Sequence, residues 1–141
     1  MDHSPQTPAD DRALRLLEHA QIPEPRKARA LAAVRAAQDV AHDAGAELQA
    51  EFGKDHVGLI VGCNQFVRVF RSGPEPGAVE LFLNPSDKDA LATAGFELRA
   101  PEGAVFKLFG WVRIDPSQGP DDALAKAVGA AFTKAKATAK K

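Results

Sequence analysis

The chain has 141 residues, 45% of them apolar, and a formal net charge of -1 at pH 7. That length suits a single domain. The apolar share supplies a packed core and excludes global disorder, and near-neutrality excludes a whole-molecule pull toward nucleic acid or anionic membrane.

The single cysteine, Cys63, cannot form an internal disulfide, which fits a reducing compartment. No apolar run is long enough to span a bilayer. The start is polar and acidic where a signal peptide is basic and then apolar, so cytoplasmic residence is the expectation.

Residues 1–9, with Pro5 and Pro8 among polar neighbours, are expected to form a mobile tail. A single α+β domain is expected over 10–136, and a basic tail over 137–141. Asp10 or Asp11 caps a short helix carrying Leu14, Leu16, Leu17 and Ala20, which Pro23 and Pro25 end. A long helix follows to about Phe52. Its stripe is Leu31, Val34, Ala37, Ala41, Ala44 and Leu48, at steps of three and four. Gly45 weakens that helix by roughly 1 kcal/mol, and Gly53 is its expected C-cap.

The periodicity then changes. Residues 57–62 (VGLIVG) and 65–71 (QFVRVFR) read as a hairpin turning at Cys63-Asn64. Phe66, Arg68 and Phe70 share one parity, and Val67, Val69 and Arg71 the other. After the loop SGPEPG, residues 78–83 (AVELFL) form a third strand. Ser86 caps a short helix over 87–94 that Gly95 ends, and 96–99 is a candidate fourth strand. Residues 104–115 (AVFKLFGWVRID) form the last strand, with Gly110 marking a bend. Asp121 caps a final helix with the apolar stripe Leu124, Ala127, Val128, Ala131, Phe132 and Ala135. Strands in runs with the long helices at the ends predict α+β: an antiparallel sheet of about five strands packed against a C-terminal helix and a long N-terminal helix.

Catalytic signals are sparse. His3, His19, His42 and His56 have no partners at metal-ligand spacing, and no phosphate-cradling glycine loop or nucleophile elbow occurs. Neither metal nor cofactor is expected, and the balance is against an enzyme. Asp55-His56 becomes a site only if the fold brings another polar group to it. Cations and aromatics interleave on two strands. A sheet face of that kind can neutralise phosphates and stack bases, with Arg68, Arg71, Lys107 and Arg113 as candidates. The simpler account is ordinary alternation, aromatics inward and cations in water. The cations Arg26, Lys27 and Arg29 at a helix start oppose its dipole and call for an anion or a carboxylate such as Glu24.

The order of features over 57–135 resembles the MmcQ/YjbR-like family. The matching features are a strand leading into Asn84-Pro85, a short helix, a strand containing Gly110-Trp111-Val112-Arg113, and a C-terminal helix beginning DDALAKAV. The resemblance implies a small α+β domain, often described as DNA-binding, and transfers no catalytic residues. The pair of N-terminal helices is longer than the family's single helix, and Phe52-Gly53 stands where its tryptophan-glycine is expected.

Three functions are therefore open. The first is a noncatalytic binding module, with nucleic acid as a candidate partner. The second is a protein–protein adaptor or homodimer using alanine-rich helix faces. The third is a small-molecule pocket between sheet and helices, lined by Phe66, Phe82, Phe106 and Trp111.

Overall fold

The computed structural model describes residues 7–8, 11–101 and 110–139. In chain order they form β1 (Thr7–Pro8), α1 (Asp11–Glu18), α2 (Arg26–Asp43), β2 (Leu48–Phe52), β3 (His56–Val61), β4 (Asn64–Phe70), β5 (Val79–Phe82), α3 (Pro85–Ala94), β6 (Trp111–Ile114) and α4 (Asp121–Ala139). Each strand pairs antiparallel with the next, so the sheet order is the chain order. Strands β2 to β6 make the expected sheet, and β1 adds a two-residue pairing along β2.

The four helices among the described residues join the core on one side of this sheet. α4 lies across β3, β4 and β5, α2 packs beside α4, and α1 and α3 flank them. The core between the layers is drawn from one parity of each strand: Ala50, then Val57, Leu59 and Val61, then Val67 and Val69, then Val79 and Leu81, then Val112 and Ile114. Leu17, Val34, Leu124, Val128 and Phe132 meet them from the helices. Each large side chain buried there contributes about 1.5–3 kcal/mol.

The long N-terminal helix is shorter than its periodicity predicts. It ends at Asp43, and residues 48–52 are strand β2. Gly45 adopts φ +65°. The Gly45 amide donates to His42 O, and the Ala46 amide to Ala41 O at 2.9 Å. These two bonds are a Schellman cap. The glycine read as a weak spot is the terminator, and pairing with β3 overrides the helical preference of Leu48, Gln49 and Glu51.

Two other expectations shift. The hairpin turn is Gly62-Cys63, because Val61 pairs with Asn64 and Gly62 has φ +64°; glycine first in a two-residue loop is the type II′ requirement. Of the candidate strand 96–99, Arg99 alone pairs, in an isolated bridge to Arg113. The last strand is described from Gly110 onward, and its expected portion 104–109 lies outside the described residues, as do Phe106, Lys107, Lys140 and Lys141.

The shared parity of Phe66, Arg68 and Phe70 is broken by a bulge. Leu59 pairs with Val67 but Ile60 with Gln65, so Phe66 is the extra residue on β4. The slip sends Phe66 into the core, edge-on to Phe132 with ring centroids 5.5 Å apart. Arg68 and Phe70 stay on the opposite face.

Candidate functional site

The face of the sheet away from the helices carries a charged ladder. Register sets Arg68 beside Glu80 and Glu80 beside Arg113, and the isolated bridge adds Arg99 beyond Arg113. Arg68 Nη1 donates to Glu80 Oε1 at 3.2 Å, and Arg113 Nη1 donates to Glu80 Oε2 at 2.9 Å. From the preceding loop, Glu75 accepts Arg113 Nε at 3.0 Å and both terminal nitrogens of Arg99 at 2.8 and 2.7 Å. Glu80 is 0% exposed, Arg113 5% and Arg68 9%. Charges so far out of water persist only when paired and hydrogen-bonded. The paired guanidinium of Arg99, with Arg113 adding to it, holds the Glu75 carboxyl below the usual range against the effect of its burial.

Phe70 lies between the arginines, its ring centroid 5.5 Å from the Arg68 guanidinium carbon and 4.4 Å from that of Arg113. These are cation–π distances. His56 closes the group: Arg68 Nη2 stands 3.2 Å from its Nε2 and 3.5 Å from its Nδ1. Partial burial, and then the Arg68 charge, push the His56 pKa below 6.5. The folded state therefore binds fewer protons at His56 than the unfolded chain does. Its contribution is present above pH 6.5 and is lost as pH falls below it. Urea midpoints should decline from pH 7 toward pH 5, and His56→Gln should flatten that decline. The loss tied to Glu75 should remain in both proteins, in a separate window below its ordinary 4.5. An unchanged decline in His56→Gln would remove His56 as the cause.

The anticipated cations among the described residues are Arg68, Arg71 and Arg113, and each is engaged within the fold. Arg68 and Arg113 are in the ladder. Arg71 Nη2 donates to the Gly53 and Lys54 carbonyls at 3.2 and 2.6 Å. Of the pocket aromatics, Phe66, Phe82 and Trp111 are among the described residues. Phe66 is in the core, while Phe82 and Trp111 pair across strands with ring centroids 5.7 Å apart, and Lys134 Nζ of α4 lies 4.2 Å from the Phe82 ring centroid. Two of the three cations at the start of α2 find carboxylates, though not Glu24: Arg26 reaches Asp115 at 3.3 Å and Arg29 reaches Asp121 at 3.1 Å, while Lys27 donates to the Glu18 carbonyl at 2.7 Å. Glu24 instead accepts the Ala28 amide at 3.2 Å, as a cap for the helix start.

The fold does bring polar groups to Asp55-His56, but not as a catalytic pair. Ser72 Oγ donates to Asp55 Oδ1 at 2.8 Å, and His56 faces Arg68. A general base needs a lone pair directed at the nucleophile's proton; here the imidazole is turned to a guanidinium. Among the described residues no three His, Cys, Asp or Glu side chains gather as a metal site, and no helix is long and apolar enough to cross a membrane.

Sequence reasoning passed over Glu75, Glu80 and Arg99, which join Arg68 and Arg113 in the ladder. The available signal was Glu80 itself, a carboxylate inside the apolar run AVELFL at the parity opposite Val79 and Leu81.

On the helix side, the outward face of α4 is bordered by two hollows. One, about 540 Å³, lies toward α3 between Asn84, Asp87, Ala130 and Lys134; the other, about 520 Å³, lies toward α2 between Val40, Asp43 and Lys136. Thr133 and Ala137 edge both. A side chain added at Gly129 would enter open space.

No family model, curated protein or solved structure matches this chain.

Proposed function

We propose that the chain is a noncatalytic binding domain that acts by protein contact through the outward face of α4. The observation that carries this reading is the low ridge of Thr133 and Ala137 with a hollow on each side, a shape into which the ridges of another helix fit. The ladder supports it indirectly, because among the described residues its charges pair with one another. Thr133 is exposed, so Thr133→Arg should leave the melting temperature unchanged while abolishing capture of proteins that crosslink to the wild-type chain. An identical captured set from both chains would count against the α4 face.

Nucleic-acid binding through Arg68, Arg71, Lys107 and Arg113 is the second reading. One observation favours it: among the described residues the ladder sets three guanidiniums with two carboxylates, with Arg99 partly exposed at the end. Phosphate contact would appear as single-strand oligonucleotide binding that weakens steeply with salt, and binding that is flat across salt would exclude it. Kinship with MmcQ/YjbR-like domains and a reducing, cytoplasmic setting belong to the same proposal. The element order from β4 to α4 supports the first, and a lone exposed Cys63 supports the second.

A further inference from the structure

The ladder and the start of α2 use their arginines in ion pairs, but among the described residues the arginines of α1 take part in none. Arg12, Arg15, Leu16 and His19 follow one another at steps of three, one and three, so they share one face of the helix. Its opposite face, Ala13 and Leu17, is fully buried. Asp11–Glu18 is helix, and the His19 amide continues it by donating to Arg15 O at 3.1 Å. The outer face overlooks Phe52, the last residue of β2, and together these five side chains line an open hollow of about 350 Å³. No carboxylate lines it among the described residues.

Its chemistry is divided. At one end the Arg12 guanidinium carbon lies 4.9 Å from the Phe52 ring centroid. A guanidinium stacked on an aromatic ring still offers its second face to a flat group. Leu16 gives that end an apolar floor. At the other end Arg15 and His19 are exposed, and among the described residues their side chains take part in no ion pair. An unengaged guanidinium fork matches a phosphate group by paired N–H donors. Residues three apart on a helix stand about 5–6 Å apart at Cβ, comparable to the separation of base and 5′-phosphate in a nucleotide.

We propose that the α1–β2 hollow binds a nucleotide, with the base stacked on the Arg12–Phe52 pair and the phosphate held by Arg15 and His19. This site is separate from the α4 face and stands or falls without it. The nucleotide is either free or one unit of a single strand.

The test is an amide-shift titration of the full chain with adenosine 5′-monophosphate, adenosine, inorganic phosphate and a ten-residue oligothymidylate. Adenosine 5′-monophosphate should saturate, with a dissociation constant near or below about 1 mM, and should shift amides of α1 and the end of β2. Adenosine and inorganic phosphate alone should bind at least about 10-fold more weakly, since each engages one end only. Arg15→Ala should weaken the nucleotide about 10-fold. Arg35→Ala, an exposed arginine on α2 outside the hollow, should change nothing. Oligothymidylate binding tighter than the mononucleotide would identify the strand as the source, and binding no tighter would identify the free nucleotide. The proposal is overturned if no saturable shift maps to this hollow, if adenosine binds as well as its phosphate, or if Arg15→Ala binds like wild type while its amide spectrum stays folded.

Discussion

Glu80→Ala should cost the fold about 3–5 kcal/mol, the range for removing one partner of a buried ion pair. The Glu80 carboxylate is fully buried, and its two oxygens answer two different guanidiniums, Arg68 and Arg113. Alanine would leave both cations in place without that counter-charge, and neither has an easy route to water. Glu75 would still hold Arg113 Nε, so that arginine stays anchored where it is least solvated. A domain at the low end of ordinary stability, about 5 kcal/mol, would then be close to unfolding.

Urea denaturation of Glu80→Ala beside Glu75→Ala measures this. The Glu75 side chain is 20% exposed, so water can replace part of what it supplies, and its loss should be clearly smaller. Equal losses, or a Glu80→Ala loss under about 1 kcal/mol, would mean that the ladder does not govern the sheet's stability.

Phe66→Ala is the second large effect, expected at about 3–5 kcal/mol. Phe66 is the inserted residue of the β4 bulge and is 0% exposed. Its ring fills the space under α4 against Phe132. Truncation leaves a cavity at the contact between sheet and helix, where neither layer can collapse freely. Phe132→Ala should cost a similar amount. The double variant should lose less than the sum, because the edge-to-face pair is worth about 0.5–1.5 kcal/mol beyond burial. Strict additivity, read from denaturation of all four proteins, would show that the two rings do not act together.

These two positions also mark where sequence reading works and where it stops. The stripe Leu124, Val128, Ala131 and Phe132 on α4 was visible as a helical period, and it is buried as that period requires. Along β3 and β5 the alternation of a strand holds, and Val57, Leu59, Val79 and Leu81 face the core. Alternation failed in β4, because one inserted residue reverses parity along a strand. Phe66 and Phe70, four apart and identical in type, therefore lie on opposite faces. Residues 48–52 failed for a different reason. Their local preference is helical, and only the neighbouring strand β3 makes them extended.

The candidate sites divide along the same line. Composition and periodicity alone determined an α+β domain with an antiparallel sheet closed by its C-terminal helix, since both signals are local and repeat within each element. They also marked Arg68, Arg71 and Arg113 as cations standing among aromatics. Which cations are spent was a tertiary decision. Glu80 lies 12 residues from Arg68 and 33 from Arg113 in the chain, yet the register of three strands sets it between them. Arg15 and His19, which carried no motif, keep their side chains outside every ion pair among the described residues and share a hollow with Phe52. Charge pairing depends on distance in space, and sequence spacing reports that distance only within a helix or strand.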